Sequence, residues 1–553
     1  MLGKSSRIAR TAALLTAGMF GLTACAGASG NAGVNNNQSP LKSEDLLVDT
    51  PNPSGEVASV NWNLPFGEPS SLDPIKAFNY PENTVVANLC EPLLQVKPDF
   101  SIEPNLASSF EVKSPQEYVY QIRDDVTFWD GSRMTMDDVI WSLERHKNPE
   151  EGSYWAGAVT DNIQSVEQSG EWELTVKLKN PDMTFNSYMV TPIGAIVQKK
   201  HREQQGENYG TPTGQVMCTG PFSVEAWDQG QTLTLQRNDA YWNQDLLPKV
   251  ETMNFRFTVD EASISSSMRT GELDGSYDVP LGSLPSLSTA ESGELYYGVS
   301  TQIVAVIATG SGPFGDPAVR RAISLATDKQ AIADAVFHGT ATPSASLIPN
   351  GGWTYGDEIF EQGRADLPKT EVNLDLAKEQ LKDANVDLSE TIRIAYPAER
   401  TFYADILSEM SNAATQLGIT LEPVGIPSAQ FGAMFSDEAA RSQYDGFVTY
   451  NYMDVADPLS HLRSIMQTDG GSNYNNYSDP KTDELILKAL AEPDETTRAE
   501  LTNELQQIAM HEMPWIPLVD PATRLYMSGE ITGVPASFSY IYYPWAVELG
   551  AKE

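Results

Sequence analysis

Several residues in this chain have the types that enzymes use, but their spacing defeats each familiar site. His511-Glu512 is followed by Met-Pro-Trp, so the zinc-protease pattern His-Glu-x-x-His is incomplete. His146, His201, His338 and His461 are scattered, without the spacing that lets two imidazoles share a metal. They read as surface or packing residues, and no metal or cofactor is expected. No Gly-x-Ser-x-Gly elbow and no phosphate-loop Gly-Lys-Ser/Thr occurs. Gly310-Ser-Gly312-Pro-Phe-Gly315 does fit Gly-x-Gly-x-x-Gly, between a strand pattern and a helix pattern. Yet Pro313 removes an amide that a pyrophosphate would use, and Asp316-Pro317 starts the helix only after the third glycine. The plainer reading is a glycine-rich crossing between domains. Nothing assembles a nucleophile, a base and an oxyanion hole, so no enzyme is expected.

The N-terminus carries chemistry of another kind. Lys4, Arg7 and Arg10 precede an apolar run from Thr11 to Ala24 with no acid, the layout of a secretory signal. The run is shorter than the ~20 residues of a spanning helix. It closes on Leu22-Thr23-Ala24-Cys25, which resembles the bacterial lipobox, whose cysteine is lipidated and becomes the mature N-terminus. The alternative is a plain secretory signal cut near Ala24, with Cys25 incidental. Residues 25–55 open on Gly, Ser and Asn and read as a flexible tether. Acyl chains add ~0.8 kcal/mol per buried CH₂, so two or three anchor stably. The expected location is extracytoplasmic, on the outer face of the cell membrane.

The chain has 553 residues, 41% hydrophobic and 20% charged, which is ordinary globular composition. Its 36 basic residues against 75 acidic ones give a formal charge of −39. Duplex binding needs cations that displace counterions, so nucleic acid is excluded as a partner.

Up to about residue 300, strand alternation dominates: Val57–Leu64, Tyr118–Arg123, Glu171–Lys179, Gln231–Gln236 and Met253–Thr258. Met134–His146 reads as a helix, with Thr135 and Asp138 as a capping box. Beyond 300, strands Gln302–Ala308, Thr391–Tyr396, Ile419–Val424 and Tyr444–Tyr450 alternate with helical patterns. Those patterns cover Asp316 to about His338, Leu374–Asp383, Tyr403–Leu417, Asp483–Ala491 and Thr496–Met510. Such alternation predicts βαβ units on a parallel sheet.

Several segments, in order, resemble one family. They are Glu68-Pro-Ser-Ser-Leu-Asp73-Pro74, Cys90-Glu-Pro-Leu-Leu94, Ile102-Glu-Pro-Asn-Leu-Ala107, and Tyr120 through Gly131 leading into Thr135–Val139. Thr219-Gly-Pro-Phe222, Arg237–Trp242, Phe314–Ala322, Ala326-Thr-Asp328, Asp454-Val-Ala-Asp457-Pro458 and Tyr477–Leu485 follow. Together they are similar to the family 5 solute-binding proteins of bacterial ABC importers, the oligopeptide, dipeptide and nickel-binding type. The resemblance implies an α/β, two-lobed periplasmic-binding-protein fold, type II-like in its three-domain variant, with a central hinge and cleft. Domain I would comprise 56–95, 212–301 and 521–553. Domain II would be 96–211 and domain III, the second lobe, 302–520, after the signal at 1–24 and the tether at 25–55.

The same resemblance implies a function and a site. A lipid-anchored monomer would capture short peptides and deliver them to the permease and ATPase subunits of an importer. Peptide-binding relatives hold the α-ammonium with an aspartate placed as Asp454 is here. Phe78-Asn79-Tyr80 and Asn451-Tyr452-Met453 fall where ligand-lining strips are expected, and their backbones could pair with a peptide as an added strand. The alternatives are another solute on this scaffold (a metal chelate, haem, an opine or an oligosaccharide) and, more distantly, a surface-anchored hydrolase. Cys90 and Cys218 interrupt two of the matching motifs and are the cysteines left once Cys25 is lipidated. In an oxidising location they are expected to form a disulfide, two buried thiols being the alternative.

Overall fold

The computed structural model describes residues 41–553, apart from 158 and 385. The signal segment and Cys25 lie outside the described residues. A seven-stranded sheet runs in the order Gly293–Gly298, Thr523–Ser528, Gly275–Tyr277, Val57–Asn63, Val250–Arg256, Thr232–Arg237 and Phe222–Asp228. A four-stranded antiparallel sheet joins Ala107–Ser114, Glu117–Ile122, Glu173–Leu178 and Ile163–Gln168. Its alternating strands carry one buried face, where Tyr118, Tyr120, Leu174 and Val176 are at most 1% exposed. The helix beside it, Met136–Glu144, has the capping box: the Thr135 amide donates to Asp138, and the Asp138 amide donates to the Thr135 hydroxyl.

A six-stranded sheet builds the other half, in the order Ala341–Pro343, Trp515–Pro521, Gln302–Ala308, Gly446–Tyr452, Ile392–Pro397 and Leu421–Ile426. It is mixed rather than parallel. Its parallel neighbours are Ile392–Pro397 with Leu421–Ile426 and Ile392–Pro397 with Gly446–Tyr452. The helix Phe402–Gln416 makes the crossover that parallel neighbours need. Gln302–Ala308 enters directly from the other sheet and runs antiparallel to both of its neighbours. It is central and covered on both faces, which is why all seven of its residues are buried and it shows no alternation.

The expected helix from Asp316 to His338 also breaks. Pro317–Ala326 is helical, but Thr327 is extended, its hydroxyl donating to the Ile323 carbonyl. Asp328 then caps a separate turn, accepting from the Ala331 amide at 2.9 Å. An N-cap residue inside an apolar periodicity ended the first helix. The glycine-rich segment is a tight turn within this half, not a crossing between domains. Gly312 has φ +54°, and a Cβ there would meet Asp445 Oδ1 at 2.2 Å.

The tether prediction also fails in its described part. The Leu41 amide donates to the Gly339 carbonyl, and Leu47 exchanges hydrogen bonds with Tyr297 and Val299. The Thr50 hydroxyl, buried, donates to the Val534 carbonyl. Leu47 lies beside Gly298, where a Cβ would meet the Ala536 carbonyl at 1.3 Å, so the approach requires glycine. Backbone groups that complete a sheet edge bind a short segment whatever its composition.

Among the described residues the chain passes twice between the seven-stranded and six-stranded sheets. One crossing lies between Gly298 and Gln302, the other between Pro521 and Thr523. No helix of the described residues is long and apolar enough to span a membrane.

Candidate functional site: a carboxylate in an aromatic cleft

A cavity of about 520 Å³ is walled on one side by residues near Phe66–Tyr80 and on the other by residues of the six-stranded half. Tyr154 and Tyr188 close it from the segment around the four-stranded sheet. Local structure explains how each predicted side chain arrives there. Asp73-Pro74 starts a short turn, and Asn79 then caps helix Tyr80–Val86, accepting from the Tyr80 amide at 2.9 Å. That cap leaves Phe78 exposed to the cavity, stacked on Tyr154 with ring centroids 4.1 Å apart.

On the opposite wall, strand Gly446–Tyr452 carries Asn451 and Tyr452, and the strand ends there. The Met453 amide is tied to the Thr301 carbonyl, and Asp457 caps helix Pro458–Met466. Asp454 is held between these two anchors. Phe78, Asn79, Tyr80, Asn451, Tyr452 and Asp454 therefore converge on one cavity. Met453 does not line it. It is 2% exposed and faces a second, smaller cavity. The Tyr450 and Tyr452 amides already donate, to the Tyr403 hydroxyl and to Asn451 Oδ1. A peptide added as a strand at this edge would have to displace those oxygens.

Asp454 is exposed to the open cavity, with protein around it only at longer range. Among the described residues no hydrogen-bond donor and no cation pairs with it. Desolvation alone pushes its carboxyl from 3.8 up to about 6. Tyr154, Tyr188, Tyr452, Tyr474 and Tyr542 all feel its charge, and burial first, then that charge among other causes, pushes their hydroxyls up. A carboxylate among electron-rich rings has the chemistry to hold a cation.

The cavity also holds one guanidinium, Arg400, which lies over the Phe66 ring at 4.1 Å. His461 is kept neutral, because burial pushes its imidazole down to about 4. Sequence reasoning missed Arg400, Tyr154, Tyr188 and Tyr474. They sit in irregular or short elements, and no periodicity marks them. Cys90 and Cys218, behind this wall, are joined by a disulfide with Cα atoms 4.9 Å apart. Beside them, Glu91 accepts from Thr219, Tyr241 and Trp242, and burial pushes its carboxyl up to about 7.

The profile described as "Bacterial extracellular solute-binding proteins, family 5 Middle" matches residues 101–473, well over half of the chain. The chain belongs to this family. Family 5 members are binding proteins, so this is a binding protein and not an enzyme. The probable ABC transporter periplasmic-binding protein SapA of Escherichia coli K12 is 26% identical over 523 residues, covering 86% of this chain and 91% of that protein. The structure is similar to the periplasmic binding protein AgaA of A. tumefacien R10 in complex with agropinic acid. Their TM-score is 0.77 at 21% identity, covering 90% of this chain and 99% of that one. It is also similar to the binding protein DppA of Helicobacter pylori in complex with peptide STSA. There the TM-score is 0.76 at 18% identity, covering 90% and 99%. The family 5 protein described here thus has the two-lobed periplasmic-binding-protein fold expected of it, with the aromatic cavity in its cleft.

Proposed function

We propose that this family 5 protein captures short peptides in the cleft and delivers them to the permease of an ABC importer. The observation that carries this reading is the Asp454 carboxylate, facing an aromatic cavity whose other formal charge among the described residues is Arg400. A peptide's α-ammonium would satisfy the first charge and its α-carboxylate the second. Cleft closure is then a hinge motion about the two crossings. We place the lobe boundary there, with Cys25 as the lipid anchor on the cell-membrane face and the monomer as the working unit. A zwitterionic opine would satisfy the same pair of charges, and the likeness to AgaA in complex with agropinic acid favours it as the second reading.

Intact-mass spectrometry of protein purified from its native source and released in denaturant separates the two. Co-purified di- to pentapeptides are expected. A single non-peptide species would overturn the peptide reading. Calorimetry then tests the site: Asp454→Asn is expected to cost ~3–5 kcal/mol of peptide affinity, the cost of breaking a buried charge pair. That is roughly two to three and a half decades in Kd. N-acetylation of the peptide should have the same effect on the wild type.

A further inference from the structure

Asp454 belongs to two cavities at once. A second cavity of about 280 Å³ shares Asp454 and Val455 with the main one and extends away from it. Its walls mix apolar side chains, Met183, Met453, Phe538 and Ile541, with polar ones such as Thr301 and Thr354. Its charges are Asp454, Asp457, Glu495 and Arg498. Arg498 is already engaged, donating to the Glu492 carbonyl at 3.0 Å and lying over the Tyr355 ring at 5.2 Å. Asp457 uses one oxygen as a helix cap. Asp182, which also faces Asp457, is paired with Arg463 at 2.6 Å. Among the described residues, three buried polar atoms in the wall have no hydrogen-bond partner: the hydroxyls of Tyr355, Ser539 and Tyr542.

The inference rests on the peptide reading above. In a peptide whose α-ammonium meets Asp454 and whose chain runs toward Arg400, the first Cα has one substituent left. The second cavity, which opens beside Asp454, is the space next to that side chain. With Asp454 satisfied by the ammonium, the second cavity retains two acids against one arginine. A cavity with apolar patches and an excess of negative charge fits a long aliphatic stem with a cationic head. We propose that the second cavity is a specificity pocket for the first residue of the peptide, and that it selects a basic side chain such as lysine.

Four peptides test this by calorimetric titration of the full wild-type protein at one salt concentration: Lys-Ala-Ala, norleucine-Ala-Ala, Ala-Ala-Ala and Ala-Lys-Ala. Norleucine keeps the lysine stem and lacks the charge. Lys-Ala-Ala is expected to bind at least tenfold more tightly than norleucine-Ala-Ala, with no comparable gain for Ala-Lys-Ala over Ala-Ala-Ala. Norleucine equal to or better than lysine would overturn the charge selection. Equal affinity of all four would show that the pocket is not entered. If none of the four binds, the peptide reading itself falls, and this inference with it. A second variant keeps the fold and removes the charges: Asp457→Asn still caps its helix, and Glu495→Gln is on the surface. In the double variant the lysine-to-norleucine ratio should drop below threefold. A ratio that persists would place the cation elsewhere and overturn the assignment.

Discussion

Gln302 donates its side-chain amide to the Tyr80 hydroxyl at 3.1 Å. The same amide reaches Asp278 at 3.1 Å, and its carbonyl accepts from the Tyr450 hydroxyl at 3.3 Å. Arg524 completes the network, donating to Tyr450 at 2.9 Å. Tyr80 and Tyr450 line opposite walls of the cavity. Gln302 and Arg524 stand at the two crossings between the sheets. Cleft contacts and crossings thus share one buried network. Gln302→Leu leaves Tyr80 and Asp278 without this donor, at a cost of ~1–3 kcal/mol for each buried polar group stranded. A lower urea midpoint and weaker peptide binding are both expected. Affinity within twofold of wild type, with the midpoint unchanged, would show that the network carries neither effect.

Binding should depend on pH through Asp454. Its carboxyl titrates near 6 in the empty cleft because it is desolvated. The pair needs both charges, so affinity should be highest near pH 7 and fall again above ~8, where the peptide's α-ammonium loses its proton. It should fall toward tenfold per unit below about pH 6. The flanking tyrosines titrate far higher and His461 near 4, so neither moves in this window. The stability sign is opposite. The native state holds this proton more tightly than the unfolded chain, so the group destabilises the empty protein as pH rises from about 4 to 6. Asp454→Asn should therefore flatten the pH dependence of residual binding and raise the melting temperature of the empty protein at pH 8. A variant that keeps the wild-type pH profile would remove Asp454 from the site.

The disulfide between Cys90 and Cys218 closes a separation of 128 residues. Chain entropy alone would assign such a loop ~5 kcal/mol, and measured values commonly reach 2–4. Cys90→Ser with Cys218→Ser should lower the urea midpoint accordingly, and reductant should lower the wild type to the same value. Agreement between the reduced wild type and the double variant checks that the bond, and not the packing of two serines, is responsible.

Much of this could be read from the sequence, for identifiable reasons. Half-buried strands such as Glu173–Leu178 alternate, and capping boxes such as Thr135–Asp138 state their own start. Strand direction was not readable, because alternation does not say which edge of Gln302–Ala308 meets which neighbour. Asp454 was legible only through its resemblance to a family position, since an aspartate before a helix cap is otherwise a turn residue. Arg400 and Tyr154 were not legible at all, because tertiary contact alone brings them to the cavity.

The Asp73 of the Ser-Leu-Asp-Pro segment is structural rather than ligand-facing. Arg145 grips it through two bonds, 3.0 and 2.7 Å, with both side chains at most 2% exposed. Glu151 joins the same guanidinium at 2.9 Å. Asp73→Asn should cost ~3–5 kcal/mol, because a buried guanidinium loses its main counter-charge. Peptide affinity of the folded fraction should be unchanged. A stability loss below about 1 kcal/mol, the range of exposed pairs, would contradict the burial.

Arg400 is assigned the ligand's carboxylate, and a thermodynamic cycle tests that pairing. Its guanidinium spans the cleft by lying over Phe66 at 4.1 Å, and it is the one lysine or arginine among the described residues lining the main cavity. Arg400→Met keeps most of the stem and its contact with the ring but removes the charge. Amidating the peptide removes the opposite charge. Each change alone should weaken binding by ~1.5–3 kcal/mol, the range for hydrogen bonds to charged groups. That is roughly ten- to a hundredfold in Kd. If the two groups pair, making both changes should cost little more than making one, because the second removes an interaction already lost. Calorimetry of two proteins with two peptides gives all four corners. Additive losses would mean that Arg400 only positions the cleft, and that another donor holds the carboxylate.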